Sequence, residues 1–345
     1  MKRNIWGLNL QELETWVVGN GFPRFRAKQL RDYLYKRHIF HFDEMTQFSQ
    51  KMRDWLKENG QIDKPVIISR AQSDDEKTIK LLLKLKDGSL VETVCMCHHY
   101  GNSICVSTQV GCAMGCIFCA STRKRLERNL TAGEILAQMY AFKELYDIPF
   151  HSIVLMGAGE PLTNYKEVLH FIHLANDPEL LNISYRNITI STCGIVPQIY
   201  RLADENIPIT LAISLHAPND RIRNVLVPIS KNFRIKDVVS AAEYYFKKTK
   251  RRVTFEYILI KDMNASVENA KELCRLIGKM PCHINLIPIN STEHIKLYPP
   301  EWKEIKRFQD ILLKKGKETT VRKQMGDEIQ AACGQLKRRY LNSVT

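Results

Sequence analysis

Three cysteines, Cys112, Cys116 and Cys119, stand in a Cys-x3-Cys-x2-Cys run. That spacing can turn three thiolates toward one small volume, the donor set of an iron–sulfur cluster. A 4Fe–4S cubane has four irons, so three local cysteines leave one iron open to a substrate or cofactor. Phe118 would shield such a cluster from water, and Gly111 and Gly115 let the backbone curl around it. The competing reading is zinc. Structural zinc sites usually take four ligands from two Cys-x2-Cys pairs, and no second pair follows here.

Other residues could act beside that run. Gly157-Ala158-Gly159-Glu160-Pro161 follows an apolar strand; Gly159 would let a ligand approach the backbone, and Glu160 could accept bonds from an ammonium group. An ordinary strand-ending turn is the plainer account. Ser191, Ser214, Leu215, His216 and Asn290 fall at or just past the ends of predicted strands, with His216 reading as a local hydrogen-bonding group rather than a base. Cys333 sits among small residues, Ala331-Ala332-Cys333-Gly334, which leave a thiol room to reach a substrate, although a lone cysteine is more often buried structure. Cys105 lies on a strand seven residues before Cys112, on the opposite face from Val106. Cys95 and Cys97 share one strand face and invite a zinc reading with His98 or His99, but lack a partner pair. Cys274 reads as core and Cys282 as loop. Taken alone, Glu92 reads as a solvent-facing strand residue.

The elements that must position these groups fall into four stretches of the 345 residues. Residues 1–75 read as a small helical domain, with Leu10, Leu13, Val17 and then Leu30, Tyr33 and Leu34 at helix spacing. Its flank of Arg24, Arg26, Lys28, Arg31, Lys36 and Arg37 suits RNA docking. Residues 76–100 read as a β-hairpin linker, Thr78–Lys86 and Ser89–Met96 around Asp87-Gly88. From 101 to 300 strands alternate with helices: strands at 103–108, 152–157, 187–192, 209–215, 253–260 and 283–289. Helices are expected from the Thr131–Glu134 capping box onward and over 164–176, 196–205, 234–248 and 266–279. Six βα units predict an α/β fold, a parallel sheet curled into a partial barrel with its polar rim at the C-terminal strand ends. Residues 301–345 form a C-terminal extension carrying Cys333.

Composition narrows the class. Apolar (44%) and charged (26%) shares are those of a globular protein, and no apolar run reaches membrane-spanning length. Ten cysteines with no export-type apolar segment point to reduced thiols and a cytoplasmic location. A net charge of +14 favours a polyanionic partner over a merely solvated basic surface. Arg123-Lys124-Arg125, Lys247-Lys248 with Lys250-Arg251-Arg252, and Lys337-Arg338-Arg339 beside Tyr340 are its clusters.

The run Ser103 to Cys119 resembles the RlmN/Cfr family of radical S-adenosylmethionine (radical SAM) RNA methyltransferases. So do Arg128-Asn129-Leu130, Gly157–Pro161, Ser191-Thr192-Cys193-Gly194, Ser214-Leu215-His216-Ala217-Pro218, Asn285-Leu286-Ile287-Pro288 and Gly326–Leu336. The likeness covers essentially the whole chain and implies a (βα)6 radical SAM barrel. It implies a [4Fe-4S] cluster on Cys112, Cys116 and Cys119 whose open iron takes SAM, with Gly159, Glu160, Ser191, Ser214, Leu215, His216 and Asn290 around that SAM. It implies that Cys333 carries a methyl group as S-methylcysteine, Glu92 accepts a proton, and Cys105 resolves a protein–RNA adduct by a transient disulfide with Cys333, using two SAM per turnover. The implied partners are 23S rRNA at C2 of adenine 2503, with adenine 37 of tRNA as a second substrate, and a flavodoxin or ferredoxin as electron donor to a monomeric enzyme. Cfr-like methylation at C8 is the enzymatic alternative, disfavoured by Val110-Gly111-Cys112 and Ser214–Pro218. A non-catalytic RNA-binding protein with a structural metal is the alternative from another class. Ala158 stands where the family usually has methionine, and Cys193 where other small residues are common; neither removes a ligand atom.

Overall fold

The computed structural model describes residues 2–122, 125–146, 148–290 and 297–322. Cys333 and the basic run at 337–339 lie outside them. The chain opens with β1 (Arg3–Asn4), α1 (Leu10–Val18), α2 (Phe25–Tyr35), α3 (Gln50–Asn59) and β2 (Gly60–Gln61), β1 pairing with β2. Asn9 and Glu12 close a reciprocal capping box on α1, and the Ser49 hydroxyl caps α3. The helices interlock through Leu13, Val17, Leu30, Leu34 and Leu56, all fully buried.

Part of the expected basic flank serves another end. Arg31 is buried and donates to Asp177 at 2.6 Å, and Lys36 reaches Glu179 at 2.6 Å. Both acids lie just past the first barrel helix to follow the 150s strand, so these cations bind the N-terminal helices to the rest of the molecule. The buried Arg31 contact carries the larger share, because an exposed pair such as Lys36–Glu179 is worth about 0–1 kcal/mol.

Next come β3 (Val66–Gln72), β4 (Thr78–Lys84), β5 (Leu90–His98), β6 (Gly101–Cys105), β7 (Gln109–Val110), β8 (Arg128–Asn129), α4 (Ala132–Tyr146), β9 (Phe150–Leu155), α5 (Tyr165–Asn176), β10 (Ile188–Thr192), α6 (Val196–Asp204) and β11 (Thr210–Ser214). The chain continues with α7 (Asp220–Leu226), α8 (Ile235–Thr249), β12 (Val253–Leu259), α9 (Val267–Ile277), β13 (Cys282–Pro288), α10 (Trp302–Lys314) and β14 (Glu318–Val321). One ten-stranded sheet runs β3-β4-β5-β6-β9-β10-β11-β12-β13-β14. Pairing is antiparallel from β3 to β6 and parallel from β6 to β14. Two strands remain as edges, so the barrel is partial, as the alternating βα pattern predicts.

Three features depart from the expected elements. Residues 66–72, read as part of a helical stretch, form edge strand β3; Val66, Ile67 and Ile68 are β-branched and suit a pleated surface. The β4–β5 hairpin does not turn on two residues. Its loop spans 85–89, with Leu85 buried and the Asp87 carboxylate accepting from both the backbone and hydroxyl of Ser89. Helix α10 and strand β14 add a seventh parallel strand beyond the six expected.

Strand alternation gives the sheet two unlike faces. Ile104, Ile153, Ile190, Ile213, Phe255 and Ile284 point to the side packed by the helices and are at most 1% exposed. The registered partners on the other side are Lys80, Glu92, Val94, Cys105, Ser191, Ser214, Glu256 and Asn285. The chemistry-bearing residues collect there.

Candidate active site

The three-cysteine run occupies the loop between β7 and β8, whose antiparallel pairing of Val110 with Arg128 closes its base. Gly111 and Gly115 have φ of 78° and 75°, the left-handed turns that curl the loop. The Thr122 hydroxyl donates to the carbonyls of Cys116 and Cys119 at 3.1 and 2.9 Å, tightening its second half. Backbone N–H groups of Met114 and Gly159 serve the Cys112 sulfur, and those of Ser121 and Thr122 serve Cys119. Burial pushes all three thiols up from their ordinary range, and the charges of Cys112 and Cys119 push Cys116 further.

This donor set fits an iron–sulfur cluster. Buried thiols that resist ionisation alone become thiolates when a cationic core replaces their protons. An apolar shell of Met114, Ile222, Leu226, Val227 and Ile258 excludes water around them. Among the described residues no three His, Cys, Asp or Glu side chains stand close enough to share one metal ion. In a cubane each cysteine binds an iron of its own, so three thiols suffice for a cluster, whereas a structural zinc usually takes four ligands.

The Gly157–Pro161 turn lies against the segment leading into that loop. Ala158 accepts from the backbone of Thr108 at 2.9 Å and donates to the Ser107 hydroxyl at 3.0 Å, while the Glu160 amide donates to Gln109 Oε1 at 2.8 Å. A Cβ on Gly159 (φ 108°) would come within 2.6 Å of Gln109 Cβ, and one on Gly157 within 2.7 Å of the Ser107 nitrogen. Gly157 is therefore set by backbone approach, and Gly159 by its positive φ and the close approach of Gln109. Glu160 is buried; its Oε1 accepts from the Leu162 amide at 3.0 Å and its Oε2 from the Cys193 amide at 2.7 Å. These bonds tie the turn to the loop after β10, and the Cys193 and Thr192 side chains add further bonds to the same carboxylate. Burial raises the Glu160 pKa and the two amides oppose it.

Ser191 lies on the polar face of β10, and Ser214 ends β11 opposite Glu256. Leu215 is fully buried and donates its amide to the Glu256 carbonyl at 3.1 Å. His216 is buried with φ 58°, accepts the Ile258 amide on Nδ1 at 3.1 Å, and meets the Phe118 ring edge-on at 4.8 Å. Burial first, and Arg223 second, lower its pKa to about 3, so the imidazole is a neutral acceptor near pH 7. Asn290 is exposed just past β13.

Glu92 departs from its sequence reading. It is 8% exposed, and the Lys80 ammonium, itself fully buried, lies 2.9 Å from it. Across β5 and β6, Val94 opposes Cys105, which puts Glu92 and Cys105 on one face of adjacent strands. Cys105 is likewise buried, its carbonyl held by the Thr93 hydroxyl at 2.9 Å. Cys95 and Cys97 contact each other instead of a histidine, and His98 stacks on Tyr100 with ring centroids 4.8 Å apart. Cys282, expected in a loop, begins β13 and is buried.

Two residues went unnoticed in the sequence. Arg223, fully buried, donates to the carbonyls of Cys193 and, at 3.3 Å, Leu215, clamping together the loops after β10 and β11. Asn264 holds the carbonyls of His216 and Ile258 at 2.8 and 2.6 Å and accepts from the Ile260 amide. In sequence the first reads as an exposed helix cation and the second as a turn residue, and nothing local marks either.

Residues 106–274 match the family model described as the radical SAM superfamily, and residues 3–62 that of the ribosomal RNA large subunit methyltransferase N-terminal domain. A Clostridium novyi protein named "Probable dual-specificity RNA methyltransferase RlmN" is 47% identical over 342 residues, 99% of each chain. Its Clostridium tetani counterpart of the same name is 46% identical, covering 99% of this chain and 97% of that one. The crystal structure of a radical SAM methyltransferase from Sphaerobacter thermophilus superposes with a TM-score of 0.91 at 41% identity, covering 96% of this chain and 98% of that one.

Proposed function

The chain belongs to the RlmN family of radical SAM RNA methyltransferases, and we propose that it methylates C2 of adenine 2503 in 23S rRNA, and adenine 37 of tRNA, through a methyl-cysteine. Membership implies a 4Fe–4S cluster and SAM. Cys112, Cys116 and Cys119 hold the cluster, which when bound supplies the electron that cleaves SAM to a 5′-deoxyadenosyl radical.

The chain's own residues do the rest. Glu160 and the Gly159 backbone receive the amino-acid end of SAM, while Ser191, Ser214, Leu215, His216 and Asn290 line its ribose, carboxylate and adenine. Cys333 carries the methyl group to the RNA adenine, whose ring carbon is too electron-poor to attack a sulfonium methyl as a nucleophile. Glu92 takes the ring proton. In the covalent adduct that joins Cys333 to adenine through the former methyl carbon, the Cys105 thiolate attacks the Cys333 sulfur and breaks its bond to that carbon; the carbon takes up a proton to become the ring methyl group, and the Cys105–Cys333 disulfide left behind is reduced by cellular thiols.

The observation that carries this reading is the shared sheet face of Glu92 and Cys105, continuous through strand register with Ser191 and Ser214. The test is reconstitution without oxygen, followed by mass spectrometry of adenosine from rRNA and tRNA. 2-Methyladenosine from the native protein and none from Cys333→Ala is the expected result. 8-Methyladenosine would reassign the carbon, and normal turnover by Cys333→Ala would end the methyl-cysteine route. Cys105→Ala should accumulate protein crosslinked to RNA.

A further inference from the structure

Strands β5 and β6 pair as far as Val94 opposite Cys105, and the same register carried two residues on sets Glu92 opposite Ser107. The backbone ladder stops short of that pair. Both main-chain polar groups of Ser107 are taken instead by the Gln138 side chain of α4. Gln138 Oε1 accepts from the Ser107 amide at 2.8 Å, and Nε2 donates to the Ser107 carbonyl at 2.8 Å. Both residues are fully buried. With its main chain engaged by α4, Ser107 reaches β5 through its hydroxyl, which donates to the Glu92 carbonyl at 2.7 Å.

The same hydroxyl accepts the Ala158 amide at 3.0 Å. One oxygen thus joins the strand carrying Glu92 to the Gly157–Pro161 turn. The turn approaches so closely that a Cβ on Gly157 would come within 2.7 Å of Ser107 Oγ. Thr108 and Gln109 donate their amides to the Ala158 carbonyl at 2.9 and 3.2 Å, so the segment leading to Cys112 is stapled to the turn as well. A hydroxyl gives one proton and accepts at its lone pairs, so both Ser107 bonds form at once. A methyl group in its place would strand a buried carbonyl and a buried amide together. Glu92 therefore has two anchors: Lys80, 2.9 Å from its carboxylate, and Ser107 on its main chain. Only the second is referenced to the turn.

We propose that Ser107, locked by Gln138, is a positioning residue for the methylation: its hydroxyl registers Glu92 against the Gly157–Pro161 turn. The inference rests on the function proposed above, in which Glu92 takes the adenine ring proton and the turn receives the amino-acid end of SAM. Ser107 acts through Glu92 and not on the substrate. A small displacement of the Glu92 main chain swings its carboxylate off the ring hydrogen, and proton transfer depends steeply on that alignment. The competing account is a hydroxyl that only satisfies two backbone groups where the ladder stops. It predicts lost stability and no change in the chemical step of the protein that remains folded.

The test compares native protein with Ser107→Ala, Ser107→Thr and Gln138→Leu, and with Ser73→Ala as a control. Ser73 is also buried and its hydroxyl accepts the Thr78 amide at 2.9 Å, but at the turn between β3 and β4. In cluster-free protein, hydrogen exchange at the Ala158 amide should quicken in Ser107→Ala. Each protein is then reconstituted without oxygen, with iron content and thermal unfolding recorded. Turnover is measured on an rRNA fragment carrying hydrogen or deuterium at adenine C2, counting both 2-methyladenosine and 5′-deoxyadenosine. Ser107→Ala should lower kcat about ten- to a hundred-fold, with KM for SAM within about three-fold of native. The deuterium effect on kcat should grow, and 5′-deoxyadenosine per methyl group with it, because proton removal becomes limiting. Gln138→Leu keeps the hydroxyl and should show the same signature at smaller amplitude, which carries the comparison where Ser107→Ala unfolds. Ser107→Thr should keep most of the native rate, and Ser73→Ala should lose stability alone. Native-like turnover by Ser107→Ala, or a loss that matches its lost folded fraction with the deuterium effect unchanged, overturns the proposal. Native protein that forms 5′-deoxyadenosine but no 2-methyladenosine would instead count against the proposed function.

Discussion

The two faces of the ten-stranded sheet are made by the same strands and differ at every second residue. On β10, Ile188 and Ile190 are at most 1% exposed against the helices, whereas Thr189 and Ser191, which alternate with them, stay half-buried on the opposite side. On β12, Phe255 and Tyr257 enter the helix-covered core while Glu256 accepts from Asn285 at 2.8 Å. Hydrophobic stabilisation is concentrated on one face, which leaves the other able to carry carboxylates, thiols and hydroxyls. Where that polar face becomes buried, at Lys80 and Glu92, it needs charge pairing of its own.

The largest stability effect should come from that pair. Lys80→Met removes the ammonium 2.9 Å from a buried carboxylate and should destabilise by about 3–5 kcal/mol in denaturant unfolding. Lys80→Met/Glu92→Leu should recover most of that stability but no methylation. Full activity of the double variant would detach Glu92 from the chemistry.

Next in size is the contrast along β10. Ile190→Ala should cost about 2–5 kcal/mol by opening a core cavity, with activity per folded molecule little changed. Ser191→Ala should change stability by about 0.5 kcal/mol or less and weaken SAM binding instead. If both variants mainly lost stability, the division of labour between faces would be wrong.

The third effect is absent near neutral pH and grows only on acidification. His216 has a folded pKa near 3, below the usual 6.5, so the unfolded chain binds its proton first. Its contribution is fully present above about pH 6.5 and declines as pH falls toward 3. Thermal unfolding followed from pH 7 to 4 should therefore soften less in His216→Asn than in the native protein. A parallel decline in both would exclude His216 as a source.

What could be read along the chain was whatever depends on near neighbours. The Cys112, Cys116 and Cys119 spacing and the Thr131–Glu134 capping box each lie within one loop or helix start, and the six βα alternations are a succession of such short patterns. The fold class followed, because alternating elements of those lengths have few ways to bury their apolar faces. The motif likeness implied roles that spacing alone does not suggest, those proposed for Glu92 and Cys105 above all.

Tertiary structure decided what depends on pairing across the chain. Glu92 is buried because β4 brings a lysine from twelve residues earlier to its side, and Cys105 is its neighbour because β5 and β6 register at Val94. Arg223 clamps two loops whose partners lie 30 and 8 residues away. Burial, and with it the state of every acid, thiol and imidazole at the site, follows from which segments close over a residue. A chain fixes its own local spacing, but solvent exclusion is a property of the folded ensemble of segments.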